Sequence, residues 1–383
     1  MKHSSRPPSI SRIQAIARHS LVTQIRSVLV VWLALTIAAA AAACGGRAGT
    51  TAPQKRLPTK LTGQPWPAGT DLRLLLNNNE AEWFSTATRR AAPITGLPPG
   101  FYFFYRVVGG WTAEQFRGGS ACPPRCDEPQ YFIADGSLTA RRIGSGFPTQ
   151  ASDRPGAVWL QTYPAGTRDI YTTPASAQLV TTAGRPVGPR NRLPAGYRID
   201  RGVGSYLLLY PDTGKPVKPP YVDELWDPRT RKVIRRLDNV AGAGPDQIAW
   251  SPDCRHCRMQ ILNVTTGKSV TTPVPGGQPS GLFGTFTDDG RLLALQLPSG
   301  AVGVYDAQRN ALTVIPGTIL ANDIGMTFGW LNGSYRLLIE AAPGNSSSDW
   351  TQLAYWQPGD ARLMVATFLI PDGGSSIVFD GFN

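Results

Sequence analysis

The chain has 383 residues, of which 42% are hydrophobic and 17% charged, with 38 Lys and Arg against 26 Asp and Glu and a formal charge of +12. This is the composition of a globular chain long enough for one large or two ordinary domains with a real core. Its 41 glycines and 34 prolines argue against a helical protein, because glycine weakens helix interiors and proline breaks them, and suit many short strands joined by turns.

Residues 1–27 carry Lys2, Arg6, Arg12, Arg18 and Arg26 and no acid, and an uncharged run, VLVVWLALTIAAAAAA, extends from Val28 to Ala43. A basic start, an apolar core of this length and small residues at its end predict a secretory signal over 1–43. The run is short for a spanning helix, which needs about 20 residues. AAACGG follows at residues 41–46. It resembles the lipobox of bacterial lipoproteins, matching at Ala42, Ala43 and Cys44 and departing at Ala41, where that family usually has Leu. The resemblance implies that Cys44 is acylated and becomes the new N-terminus, anchoring the protein to the lipid bilayer on the extracytoplasmic face of the cell membrane. An uncleaved anchor or an unlipidated signal peptide are the other readings. Two or more acyl chains hold a protein on a membrane stably, at roughly 0.8 kcal/mol per buried methylene. Cleavage removes five positives and leaves about +7. With an export signal in front, that charge does not point to nucleic acid. It suits a solvated basic face, or mild attraction to anionic head groups or acidic wall polymers. The densest basic stretch is DPRTRKVIRR, 227–236.

Residues 44–70 lack apolar periodicity, are rich in Gly, Thr, Pro and Lys, and read as a flexible tether. A folded domain is expected over 71–383. It runs strand after strand, for example FYFFYRVV (101–108), SYLLLY (205–210), LLALQL (292–297) and YRLLIEA (335–341), bounded by Gly, Pro, Asn and Asp. No stretch has a helical period. One motif recurs, an apolar strand, a polar turn and a short strand: FSTATRRAAPI near 84, IADGSLTARRI near 133, LVTTAGRPV near 179, LWDPRTRKVI near 225, LNVTTGKSV near 262, VYDAQRNALTV near 304 and YWQPGDARLMV near 355. Seven units at this period match the blade length of a β-propeller. GTFTDDGRLLAL and FGWLNGSYRLLI add hairpins with Asp-Gly and Asn-Gly turns. On these residues, most clearly over 220–383, the chain resembles WD-type and TolB-like propellers, and propeller lipoproteins of high-GC Gram-positive bacteria. The resemblance implies an all-β propeller of seven blades, with the first or last strand closing the ring. It implies no activity.

The cysteines are Cys44, Cys122, Cys126, Cys254 and Cys257. With Cys44 acylated, an exported protein keeps an even number in two close pairs, which invites disulfides. Of the three possible connectivities, the local one, Cys122–Cys126 and Cys254–Cys257, needs no long-range assumption. A zinc site would need four ligands, and two pairs about three blades apart cannot meet. A redox pair needs a feature that lowers a thiol pKa, and WSPDCRHCRMQI places the second pair between strands. Structural staples are expected, with no metal and no cofactor.

Beyond the signal the only histidine is His256, inside that turn, which excludes a His-cluster metal site, makes any Ser-His-Asp or Cys-His set depend on His256, and reads best as a surface histidine in a turn. The carboxylate pairs Asp223/Glu224 and Asp288/Asp289 are candidates for acid and base. Yet Asp288 and Asp289 read as turn caps, and Asp223 and Glu224 on one strand point to opposite faces. Candidate binding aromatics are Trp111, Tyr221 and Trp350, on the long connections 109–129, 210–224 and 342–350. The reading is a membrane-tethered, non-catalytic binding scaffold for a protein, glycan or cell-wall component. The alternative is a propeller hydrolase or lyase using carboxylates on an envelope polymer or glycan. Growth with a labelled fatty acid should mark the wild-type chain and leave Cys44→Ala unlabelled; equal label in both would remove the anchor.

Overall fold

The computed structural model describes residues 57–77, 80–116, 128–150, 154–167, 169–212, 214, 222–251, 258–275, 284–321, 324–331, 333–343, 350–369 and 376–377. Among these there is no helix. The short β1 (Gly63–Pro65) precedes the repeating part. Blade 1 contains β2 (Arg73–Asn77), β3 (Ala81–Ser85) and β4 (Arg90–Pro93). Blade 2 contains β5 (Phe101–Val107), β6 (Gly110–Phe116), β7 (Pro129–Ala134) and β8 (Ala140–Ser145). Blade 3 contains β9 (Phe147–Gln150), β10 (Ala157–Thr162), β11 (Ser176–Thr181) and β12 (Pro186–Arg192). Blade 4 contains β13 (Tyr197–Val203), β14 (Tyr206–Pro211), β15 (Val222–Asp227) and β16 (Lys232–Asp238). Blade 5 contains β17 (Val240–Ala243), β18 (Gln247–Trp250), β19 (Arg258–Asn263) and β20 (Ser269–Pro273). Blade 6 contains β21 (Gly284–Phe286), β22 (Leu292–Gln296), β23 (Val302–Asp306) and β24 (Ala311–Val314). Blade 7 contains β25 (Ile324–Trp330), β26 (Leu337–Pro343), β27 (Trp350–Trp356) and β28 (Leu363–Leu369), and the last strand is β29 (Ser376–Ile377).

Each blade is an antiparallel sheet in chain order, except that β29 supplies the inner strand of blade 1 in the order β29-β2-β3-β4. The ring is therefore closed by the C-terminal strand. The inner strands of blades 5 and 6 approach closely enough to pair in parallel, Gly242 with Gly284 and Ala243 with Thr285. A Cβ at Gly242 would lie 2.6 Å from the Gly284 carbonyl oxygen, so glycine is required for that approach. The protein is a seven-bladed β-propeller.

The core is divided into layers between blades. Leu207 and Leu209 of β14 pack toward blade 3, while Leu208 between them packs toward blade 5. Leu292 and Ala294 face blade 7, and Leu293 and Leu295 face blade 5. Alternate side chains of a strand point to opposite faces, and both faces of these second strands are covered. That is why they read as unbroken apolar runs rather than as alternation. Blades 7 and 1 join in the same way, through Leu72, Leu74, Leu338, Leu353 and Tyr355.

All seven recurring motifs are the hairpins between third and fourth strands. Each turn holds a residue with positive φ: Arg89 at 55°, Arg231 at 58° and Asn310 at 49°, and Gly136, Gly184, Gly267 and Gly359 in the other four. The first turn residue accepts backbone N–H groups ahead of it, as with Asp227 Oδ1 from Arg229 at 2.8 Å, Asn263 Oδ1 from Thr266 at 2.8 Å and Asp306 Oδ1 from Gln308 at 2.9 Å. This is why short polar residues open these turns.

The ordered fold reaches further toward the N-terminus than the Asp71 boundary expected from sequence. β1 pairs in parallel with β28, Leu61 is buried between blades 6 and 7, and the Trp66 indole donates to the Met364 carbonyl at 2.7 Å. Isolated apolar residues in a Pro-rich stretch carry no period, so their docking is not visible in the sequence. Leu208 is fully buried, and Leu208→Ala is expected to cost about 2–5 kcal/mol in chemical denaturation. Val233→Ala, at a 42% exposed position, should stay within about 0.5 kcal/mol.

Candidate functional site

Strands β5 and β6 and the turns that follow β7 and β21 bring polar groups together. Arg106 is the sixth residue of the apolar strand β5. Its neighbours Tyr102 and Phe104 pack against blade 1, and the period of two carries Arg106 to the same side. There the side chain is 7% exposed. Its Nη1 donates to Asp135 Oδ1 at 3.0 Å and to the Gly110 carbonyl at 3.1 Å. The guanidinium carbon lies 5.2 Å from the centre of the Trp111 ring, a cation–π arrangement. Asp288 of blade 6 stands 3.9 Å from Nη2, which is beyond hydrogen-bonding distance. Nη2 is buried and has no hydrogen-bond acceptor.

Arg106, Trp111 and Asp135 border a cavity of about 330 Å³ between blades 1, 2 and 7. Its apolar wall includes Leu74, Leu75, Trp83, Trp111, Trp330 and Leu338, and Arg73, Asp71 and Asp135 supply further charge. Two tryptophans are fixed by their indole N–H groups, Trp83 to the Ser137 carbonyl at 2.8 Å and Trp330 to the Thr285 carbonyl at 2.9 Å. Burial raises the Asp135 carboxyl above its usual range, with the Arg106 charge opposing the shift.

A second group of ionisable residues lies where blades 2, 3 and 4 approach. The Tyr105 hydroxyl donates to Glu114 at 3.3 Å. Burial pushes Glu114 up to about 7, against the stabilising hydrogen bond from Tyr105, and burial also raises Tyr105. Arg198 pairs with Asp212 and lies 5.0 Å from the Phe147 ring centre. Two other carboxyls reach about 7, Asp223 through burial and then the Asp200 charge, and Glu340 through burial opposed by hydrogen bonds from Thr327 and Thr351. The three acids raised to about 7 stand on β6, β15 and β26, in blades 2, 4 and 7. Among the described residues no three His, Cys, Asp or Glu side chains gather as metal ligands.

The candidate pairs separate as expected. Glu224 is buried and accepts from Arg236 Nε at 3.0 Å, while Asp223 faces the other side of β15. Asp289 accepts from the Thr287 hydroxyl at 2.6 Å and the Arg291 N–H at 3.0 Å. These bonds and one from Tyr335 hold its carboxyl below the usual range despite burial. Asp288 accepts from the Gly333 N–H at 3.3 Å. Both are turn residues between β21 and β22.

Trp111 was expected on a long connection. It instead belongs to β6, paired with Arg106 and Ile133, because Trp111 and Ala113 alternate toward blade 1. Trp350 begins β27 rather than lying in a loop. Tyr221, Cys44, Cys122, Cys126, Cys254 and Cys257 lie outside the described residues. Sequence reading passed over Arg106 and Asp135. The available signal was an arginine inside the otherwise apolar run FYFFYRVV.

No family model matches the chain, and no curated protein matches it. Solved structures do. A chain of Kluyveromyces lactis Hsv2 with a complete loop 6CD is 9% identical at a TM-score of 0.44, covering 66% of this chain and 72% of that one. Another Kluyveromyces lactis Hsv2 chain is 11% identical at 0.41, covering 68% and 74%. A chain of a mitotic checkpoint complex is 11% identical at 0.44, covering 83% and 98%. The blade count rests on this chain's own strand order.

Glu114 titrates near 7 in the folded state against an ordinary 4.5. Between those values the folded state binds the additional proton, so its contribution to stability falls as pH rises through that window. Glu114→Gln should flatten this slope and raise stability at pH 8 by on the order of 1–3 kcal/mol relative to wild type. Denaturation curves at pH 5 and pH 8 measure it.

Proposed function

We propose that the protein is a membrane-tethered, extracytoplasmic propeller that serves as a non-catalytic interaction scaffold at the cell envelope. The N-terminal run ending at Cys44 supports the tether. The observation that carries the interaction is the outer edge of blade 4. β16 is the last strand of its sheet, with one backbone edge unpaired among the described strands. Along this edge and the turn before it stand Arg229, Arg231, Lys232, Arg235 and Arg236, all exposed. Val233 and Ile234, 42% and 52% exposed, lie among them.

No acid lies between Pro228 and Leu237. Asp227 and Glu224 each engage one arginine, which leaves a surplus of positive charge beside an apolar pair. The edge of blade 3 adds exposed Arg185, Arg190 and Arg192. Such a surface suits a partner protein with an acidic face. Complementary charge would steer the encounter and the apolar pair would add buried contact. The acids raised to about 7, by contrast, stand on three different blades.

Crosslinking in intact envelopes compares the wild-type chain with the triple variant R229A/R231A/K232A. The variant should fold, stay on the membrane and lose its crosslinked partners, and wild-type crosslinking should weaken as salt rises. Unchanged, salt-independent crosslinks in the variant would move the interface elsewhere. Turnover of an envelope glycan that disappears in Glu114→Gln would establish the enzymatic alternative.

A further inference from the structure

The propeller ring closes without its first strand. β29 pairs with β2, and Leu72, Leu74, Leu338, Leu353 and Tyr355 join blades 7 and 1. The segment 57–66, which carries β1, lies outside that closure, along the outer edge of blade 7. β1 runs parallel to β28 over three residues, Gly63 beside Leu363, Gln64 beside Met364 and Pro65 beside Val365. Of residues 57–65 only Leu61 is buried, and the others are exposed. A strap held by so short a ladder and one buried side chain opens at lower cost than the strands inside the blades.

The groove beneath the strap meets an extended backbone with matched polar groups. On the blade 7 side, Gln352 of β27 is 5% exposed, and its Oε1 accepts from the Leu61 N–H at 2.7 Å. The Val365 carbonyl accepts from the Trp66 N–H at 3.2 Å. On the blade 6 side, the Gly317 carbonyl accepts from the Thr62 N–H at 3.3 Å, and the Ala321 N–H donates to the Pro58 carbonyl at 2.9 Å. Strap and groove each contribute a glycine where the backbones approach closely. A Cβ at Gly63 would lie 2.2 Å from the Leu363 carbonyl oxygen, and one at Gly317, whose φ is 80°, would lie 2.2 Å from the Thr62 carbonyl oxygen. Two side chains are read. Leu61 enters the apolar layer that includes Ile315, Ala354 and Leu363. Trp66 donates its indole N–H to the Met364 carbonyl at 2.7 Å and lies 5.6 Å from the centre of the Tyr355 ring. Backbone pairing combined with pockets for a few side chains is how sheet edges bind peptides by strand addition.

We propose that the groove along the outer edge of blade 7 is a peptide-binding site, with residues 57–66 as the resident ligand that holds it closed. The peptide it takes in trans is extended, with a leucine, a glycine two residues later and an aromatic residue three beyond that. The link between strap and blade 1 suits release. Its turn bonds to itself, the Thr70 N–H and hydroxyl both donating to the Pro67 carbonyl at 3.2 and 2.8 Å, with Gly69 at a φ of 80°. The strap can therefore leave while β2 and its partners stay in place. While docked, it competes with any external peptide at an effective concentration of about millimolar, as a short tether provides.

The inference depends on neither the membrane tether nor the basic edge of blade 4. Its test uses the full chain carrying Leu61→Asp, which sets a charge in the apolar layer and undocks the strap. A fluorescent synthetic peptide of residues 57–68 should bind this variant, and bind the wild-type chain at least about tenfold more weakly because the groove is occupied. The same peptide carrying Gly63→Val should bind neither, since the added side chain meets the Leu363 carbonyl. Equal affinity for variant and wild type, no binding to the folded variant, or binding indifferent to Gly63→Val would each overturn the site. Loss of folding in Leu61→Asp would also overturn it, because the strap would then belong to what holds the ring together. In the wild-type chain, hydrogen exchange at the Leu61, Thr62 and Trp66 amides should outpace that at Ile339 and Leu353 by at least about tenfold. Equal rates would show that the strap does not open separately from the blade.

Discussion

Apolar packing between neighbouring blades is the interaction on which the rest of this structure depends. A single blade has two faces and cannot bury either by itself. Leu207, Leu208 and Leu209 show the consequence, since three consecutive leucines serve two different interfaces. Every blade is thereby obliged to have a neighbour on each side, and the chain satisfies this only by returning to its start. The pairing of β29 with β2, and the layer joining blades 7 and 1, are what that requirement produces.

Polar chemistry is admitted where this packing ends. Arg106 occupies a position on β5 whose alternation demands an inward side chain, and its charge is tolerated because Asp135, the Gly110 carbonyl and the Trp111 ring receive it. Glu114, Asp223 and Glu340 are inward-facing acids whose protonated forms burial favours. Glu114 also feels Glu128 and, across from blade 4, Arg198, whereas Asp223 and Glu340 are influenced chiefly by groups of their own blade.

The fourth strands are under a different constraint. Apart from β28, which β1 covers, they pair on one edge only among the described strands, and side chains there escape the demand for apolar character. In blade 4 that freedom is used for cations: Arg235 rests over the Trp250 ring at 4.8 Å, Arg236 caps the buried Glu224, and the turn arginines extend outward. Exposed basic residues occur on other blades too, and the five gathered on this edge and its turn form the local excess of charge that suits an interaction surface.

The sequence by itself determined the class of fold, the number of repeats and the hairpin at which each repeat is recognised. Those are local properties: a short polar residue opening a turn, a residue with positive φ closing it, and strand-forming residues on either side. The apolar run and Cys44 near the start likewise carry their expectation locally. Tertiary structure decided what depended on distant residues. Trp111 looked like a loop aromatic until β5 and β7 enclosed it. Leu61 and Trp66 looked like tether until β28 gave them a partner. Arg106 gained its significance only when blades 1, 6 and 7 were brought around it, because burial and charge pairing arise between residues that share no sequence neighbourhood.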